Sequence, residues 1–261
     1  IVTFDDSGMA TVSTDLPLGS YYLQERSTDE HYILDDAHYE FEFSYGSQET
    51  QVVEISVNDG NPIKNDLKYG MVSGRKVDED GHVIAGAVFG LFREGETEFT
   101  EETAVRVTES DSTGKFRFED IRYGKWIIRE LKPATGYVLN KTPIEVEITE
   151  DGKTVFITVE NKFIRGDIKG YKIDEDGKSV AGALFGLFTE EDTKFTEENA
   201  VLTAVSDADG IFAFKNVRFG KWIVRELKPA EGFVLNETEF PVDITTDGAV
   251  IEIKAENRHI Y

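Results

Sequence analysis

The chain contains no cysteine. Disulfide staples and thiolate metal sites are therefore excluded, and a secreted protein built this way needs another source of toughness. No run of apolar residues is long enough to cross a bilayer, and no basic–apolar leader opens the sequence. It starts at Ile1 in strand-like residues, so we expect a piece of a longer polypeptide whose export and anchoring signals lie elsewhere. Positive charge is also scarce. Lys and Arg number 28 against 51 Asp and Glu, a formal net charge of −23. Such a surface repels phosphate backbones and anionic lipid heads, which argues against nucleic-acid binding and against membrane contact by this segment.

What is present is apolar and repetitive. With 18 Phe and 10 Tyr in 261 residues there is material for real cores, in two or three domains. An internal repeat dominates. "GRKVDEDGHVIAGAVFGLF" from Gly74 returns as "GYKIDEDGKSVAGALFGLF" from Gly170, and "YGKWIIRELKPATGYVLN" from Tyr123 returns as "FGKWIVRELKPAEGFVLN" from Phe219, each 96 positions on. Residues 1–69 follow the plan of the second half of this unit, with "DDSGMATVSTDLPLGSYYLQERSTDEHYIL" set against "SDSTGKFRFEDIRYGKWIIRELKPATGYVL". The expected organisation is thus a partial module at 1–69 lacking its first strands, then complete modules at 70–165 and 166–261. Alternating runs such as "KFRFEDI", "IEVEIT" and "TVFITVEN", separated by Asp-Gly and Thr-Gly turns, predict an all-β protein of tandem antiparallel sandwiches. "TEFTEETAV" from Thr97 reads as a helical turn or a loop. The short links between modules predict a stiff rod.

Strand parity puts three polar residues on apolar faces. Glu130 shares a face with Trp126 and Ile128, Asn161 with Ile157 and Val159, and Lys76 with Val72 and Gly74. The second repeat does the same with Glu226, Asn257 and Lys172. The glycine before each Lys leaves room for an aromatic ring. Buried polar groups are costly unless they satisfy one another. One reading is a Lys–Glu ion pair with Asn as hydrogen-bond partner. Another is chemical: desolvation drives Lys to its neutral, nucleophilic amine and Glu to its neutral acid, beside an electrophilic carboxamide.

The opening "RKVDEDGHVIAGAVFGLF", the strand "GKWIIRELKPATGY" and the closing "VEN" resemble the Cna B-type (SpaA-type) prealbumin-like domains of Gram-positive surface adhesins and pilins. The resemblance implies an intramolecular isopeptide bond from Lys76 to Asn161 promoted by Glu130, and from Lys172 to Asn257 promoted by Glu226. It also implies a Greek-key, Ig-like sandwich and a cell-wall-attached, extracellular protein. The first segment has Glu25 and Asn65 at the matching places, with the partner lysine expected upstream of Ile1, so Asn65 is expected to be unlinked in this chain unless another molecule supplies the missing strand. No cofactor and no external substrate are implied, only a single-turnover self-reaction.

Other motifs carry less. "DEDG" at Asp78 and Asp174 lacks the spaced ligands of a calcium loop and reads as a hairpin turn. The four histidines have no metal spacing. Trp126 and Trp222 read as core. The expected function is a stalk or shaft segment whose partners are neighbouring domains of the same polypeptide. The alternative is that the modules themselves recognise a host protein or glycan.

Overall fold

Alternation of apolar and polar side chains, closed by turns that need a left-handed residue, gives sixteen strands among the described residues. The computed structural model describes residues 1–10, 15–47 and 55–261. Two bodies are present: residues 1–70 with 120–124 and 148–153, and residues 71–119, 125–147 and 154–261.

The first body carries β1 (Gly19–Leu23) paired antiparallel with β2 (Tyr39–Phe43), a single 3-10 turn at Asn58–Gly60, and an isolated bridge from Tyr32 to Leu67. Its opening turn repeats a device seen later. Asp5 Oδ1 accepts from the amides of Ser7 and Met9 at 2.9 and 3.0 Å, as Asp111 Oδ1 does from Thr113 and Lys115 at 2.8 and 3.0 Å. Residues 11–14, within the stretch aligned to the later modules, lie outside the described residues.

The next strands are β3 (Tyr69–Asp78), β4 (Val88–Arg93), β5 (Arg106–Glu109), β6 (Lys115–Arg122), β7 (Gly124–Lys132), β8 (Ile144–Ile148) and β9 (Thr154–Asn161). They form a three-stranded sheet of order β6-β3-β9 and a four-stranded sheet of order β5-β4-β7-β8. The same seven-strand plan recurs in β10 (Arg165–Asp174), β11 (Leu184–Thr189), β12 (Leu202–Val205), β13 (Ile211–Arg218), β14 (Gly220–Lys228), β15 (Phe240–Ile244) and β16 (Val250–Asn257). Its sheets run β13-β10-β16 and β12-β11-β14-β15. The stretch from Thr97 is a loop with a turn at 101–103, pinned by the hydroxyls of Thr100 and Thr103, and not a helix.

Parity fixes the core. On β3, Val72, Gly74, Lys76 and Asp78 are buried, while the intervening residues are half-buried or exposed. A Cβ on Gly74 would lie 2.1 Å from Phe116 Cζ, and one on Gly170 would lie 2.0 Å from Phe212 Cζ. These rings stack on Phe89 and Phe185 at centroid distances of 3.9 and 3.7 Å. The glycine is therefore the seat of an aromatic stack beside the lysine. Trp126 is buried and Trp222 half-buried.

Where one sandwich leads to the next, Phe163 stacks on Tyr137 at 5.0 Å and lies 4.1 Å from the Arg218 guanidinium. Arg218 pairs with Asp80 at 2.9 Å, and Arg165 with Glu79 at 2.5 Å. Phe219 N–H donates to Ile164 O, and Ile164 N–H to Gly136 O, at 2.9 and 2.8 Å.

Candidate cross-linking site

The first and last strands of each sandwich, far apart in sequence, are neighbours and run parallel. β3 meets β9 in a register that sets Lys76 opposite Val159 and Asp78 opposite Asn161. β10 meets β16 with Lys172 opposite Ala255 and Asp174 opposite Asn257. Lys and Asn thus stand two register steps apart on one face, roughly 6.6 Å along the strands at roughly 3.3 Å per residue, within reach of a lysine's stem. The adjacent sheet brings the third member: Glu130 on β7 and Glu226 on β14.

All six groups are withdrawn from water. Relative exposure is 0% for Lys76, 3% for Glu130 and 1% for Asn161, and 0%, 1% and 2% for Lys172, Glu226 and Asn257. Asn161 Nδ2 donates to Glu130 Oε1 at 2.8 Å, and Asn257 Nδ2 donates to Glu226 Oε1 at 2.9 Å. Lys76 Nζ donates to Val77 O and Val159 O, both at 3.2 Å; Lys172 Nζ donates to Ile173 O and Ala255 O at 3.0 and 3.3 Å. Each Glu is thus engaged by its Asn, while each Lys is held by main-chain carbonyls. Of the two readings left open by parity, a close Lys–Glu pair is not the arrangement found.

Burial pushes Lys76 down to about 8, against the opposing pull of the Glu130, Glu160 and Asp78 charges. Lys172 is lowered for the same reason. Burial likewise raises the Glu130 and Glu226 carboxyls, despite the hydrogen bonds they accept and the nearby lysine. Amine and acid are both driven towards their neutral forms. The carboxamide oxygens, Asn161 Oδ1 and Asn257 Oδ1, are buried with no hydrogen-bond partner. An orphaned buried acceptor costs about 1–3 kcal/mol.

In the first body, Asn65 Nδ2 donates to Glu25 Oε2 at 2.6 Å and to Ile33 O at 2.9 Å. Both residues are half-buried. Lys68 Nζ donates to Glu30 O and lies 5.5 Å from the Tyr123 ring centre, so it is directed to other partners.

Three spans, 1–61, 70–163 and 166–259, match the family model of the SpaA prealbumin-like fold domain. The chain belongs to that family. A solved structure of the Bacillus anthracis TIE protein is similar over 98% of this chain, with 27% identity and a TM-score of 0.77. The chain spans 45% of that protein's length. A streptococcal ancillary pilin matches over 94% of this chain and 76% of its own, at 22% identity and a TM-score of 0.35. A C-terminal fragment of the pilus adhesin SpaC from Lactobacillus rhamnosus GG matches over 74% of this chain and 98% of its own, at 15% identity and a TM-score of 0.48. No curated protein matches the sequence.

Two further features complete the site in these SpaA-type modules. Asp78 and Asp174 are buried beside the site. Asp78 Oδ1 accepts from the amides of Asp80 and His82 at 2.9 and 2.8 Å, closing the hairpin turn expected of "DEDG". Burial works to raise the Asp78 carboxyl, but these amides outweigh it and hold it below its ordinary value. The second feature is Asn140, with its counterpart Asn236. Its amide donates to Glu130 Oε2 at 2.7 Å from a loop ten residues on. A lone asparagine in an irregular loop gives no periodic signal.

Proposed function

We propose that the chain is a stalk or shaft segment of a Gram-positive cell-surface adhesin or pilin, working outside the cell. In this reading each complete module is closed by a self-made Lys–Asn amide. The observation that carries it is the buried contact of Glu130 with Asn161 on the strand beside Lys76, repeated at Glu226, Asn257 and Lys172.

Neutral Lys76 Nζ attacks Asn161 Cγ and forms a new C–N bond. The Cγ–Nδ2 bond breaks, and ammonia leaves. Glu130 faces the departing nitrogen, so its proton is delivered there and the proton released by Nζ restores the acid. Turning the carboxamide by half a turn sets the orphaned Oδ1 against the acid O–H, which polarises the carbonyl. Holding amine and amide together in a dry core supplies on the order of 7–11 kcal/mol of the barrier. The step needs no oxidant and no cofactor. Lys76 and Asn161 lie 85 positions apart, so the bond encloses nearly a whole module. Pulling force entering on the first strand then passes to the last without unravelling the sandwich between.

Intact mass under denaturing conditions tests this. The expected value is the sequence mass less two ammonia molecules, with cross-linked peptides joining Lys76 to Asn161 and Lys172 to Asn257. A mass equal to the unmodified sequence would sink the reading.

A further inference from the structure

We infer that Asn140 and Asn236 are positioning residues for amide formation, acting as clamps that fix each Glu against its Asn; this rests on the cross-linking reading above. Three hydrogen bonds carry the argument, and both complete modules make them. The Asn140 amide donates to Glu130 Oε2 at 2.7 Å, its side-chain Nδ2 donates to Glu160 O at 3.0 Å, and its Oδ1 accepts from Thr142 N–H at 3.0 Å. Asn236 does the same to Glu226 Oε2, Glu256 O and Thr238 N–H, at 2.7, 2.8 and 2.9 Å.

Glu160 immediately precedes the reacting Asn161, and Glu256 precedes Asn257. One asparagine therefore holds the promoting carboxyl with its main chain and the electrophile's strand with its side chain. The two ends of the Glu–Asn contact are tied to a single residue. Loosening either end misplaces a proton donor whose work depends on tenths of an ångström.

The first body holds an internal comparison. There the clamp position is Asp35. Its amide still donates to Glu25 Oε2 at 2.8 Å, and its Oδ1 still accepts from Ala37 N–H at 2.9 Å. A carboxylate has no N–H to give to the last strand, and Asp35 Oδ2 instead accepts from Tyr39 Oη–H at 2.5 Å. The Asp35 side chain thus has no N–H with which to hold the segment before Asn65.

The test uses the full chain made by cell-free synthesis, quenched at intervals, with the two cross-linked peptides followed separately by mass. In the Asn140→Asp and Asn140→Ala variants the Lys76–Asn161 bond is expected to form about tenfold to hundredfold more slowly. The Lys172–Asn257 bond keeps its rate and serves as the internal reference. Asn236→Asp should reverse the pattern. A pH profile separates positioning from poor folding. Losing the clamp moves the acid limb, which Glu130 sets, and leaves the alkaline limb, which Lys76 sets; a folding defect lowers the whole curve and moves neither. Unchanged relative rates, or a uniform drop with both limbs in place, would overturn the inference. Absence of either bond in the unsubstituted chain would overturn the amide reading itself, and the clamp with it.

Discussion

Asn161 Nδ2 sits 2.8 Å from Glu130 Oε1, and the other end of the same carboxamide, Oδ1, is buried with no hydrogen-bond partner. A group half satisfied in this way is a poor stabiliser, and its oxygen is open to a donor that would polarise the carbonyl. In the proposed reaction the nitrogen leaves as ammonia, and a buried amine and carboxamide are replaced by one neutral link.

Glu130→Gln should therefore prevent the Lys76–Asn161 bond and leave the Lys172–Asn257 bond intact. Intact mass would show the loss of one ammonia in place of two. The affected module should also lose roughly 4–5 kcal/mol of stability, by analogy with a disulfide closing a comparable loop. Chemical denaturation followed for each module separately would check this.

The rate of bond formation should have a plateau in pH with a limb on each side. The reacting pair needs an amine without its proton and an acid with it, so it holds one proton in all. Below the raised carboxyl value of Glu130 both groups are protonated, and the rate falls. Above about 8, where burial has brought Lys76, both are deprotonated, and the rate falls again. A rate climbing steadily towards the ordinary lysine range would contradict this. Time courses by mass across buffers decide between the two.

Gly74→Ala drives a methyl group to 2.1 Å from the ring of Phe116, which is itself stacked on Phe89. The ring is buried and also set edge-on to Phe118 at 6.4 Å. We expect a cost of about 1–3 kcal/mol. It should be measured by urea unfolding in the Glu130→Gln background, where no covalent bond masks the change.

Glu25 and Asn65 should give no third ammonia loss. Their contact matches those of the complete modules, but Lys68 is held by Glu30 O. Glu25→Ala should leave the intact mass pattern unaltered, apart from the substitution itself.

Arg218→Ala removes the 2.9 Å pair with Asp80 and the guanidinium over Phe163. The loss should be modest, about 0.5–1 kcal/mol, because these groups remain partly in water. Greater independent motion of the two sandwiches by NMR relaxation, with both amide bonds still forming, is the expected result.

Much of the site was legible in the chain. The period of 96 exposed the modules. Alternation of two along "KWIIRE" and "VFITVENK" put Glu130 and Asn161 inwards, because a strand leaves side chains only two directions to take. The glycine before each lysine predicted an aromatic neighbour, and Phe116 is that neighbour. The loop from Thr97 was ambiguous, since its Thr and Glu residues suit a helical turn as well as the hydroxyl-pinned turn it forms.

The order of residues was enough to set the strands, the faces their side chains take, and which residues would need one another inside. These follow from local sterics and from the cost of burying polar groups. The folded chain was needed to show that β3 and β9 lie side by side and parallel, with Asp78 opposite Asn161, and that Glu130 reaches its Asn from the other sheet. It alone placed Asn140 between Glu130 and the Glu160 carbonyl. Register between strands 85 residues apart, and the path of an irregular loop, are settled by packing of the whole core and leave no periodic trace in the chain.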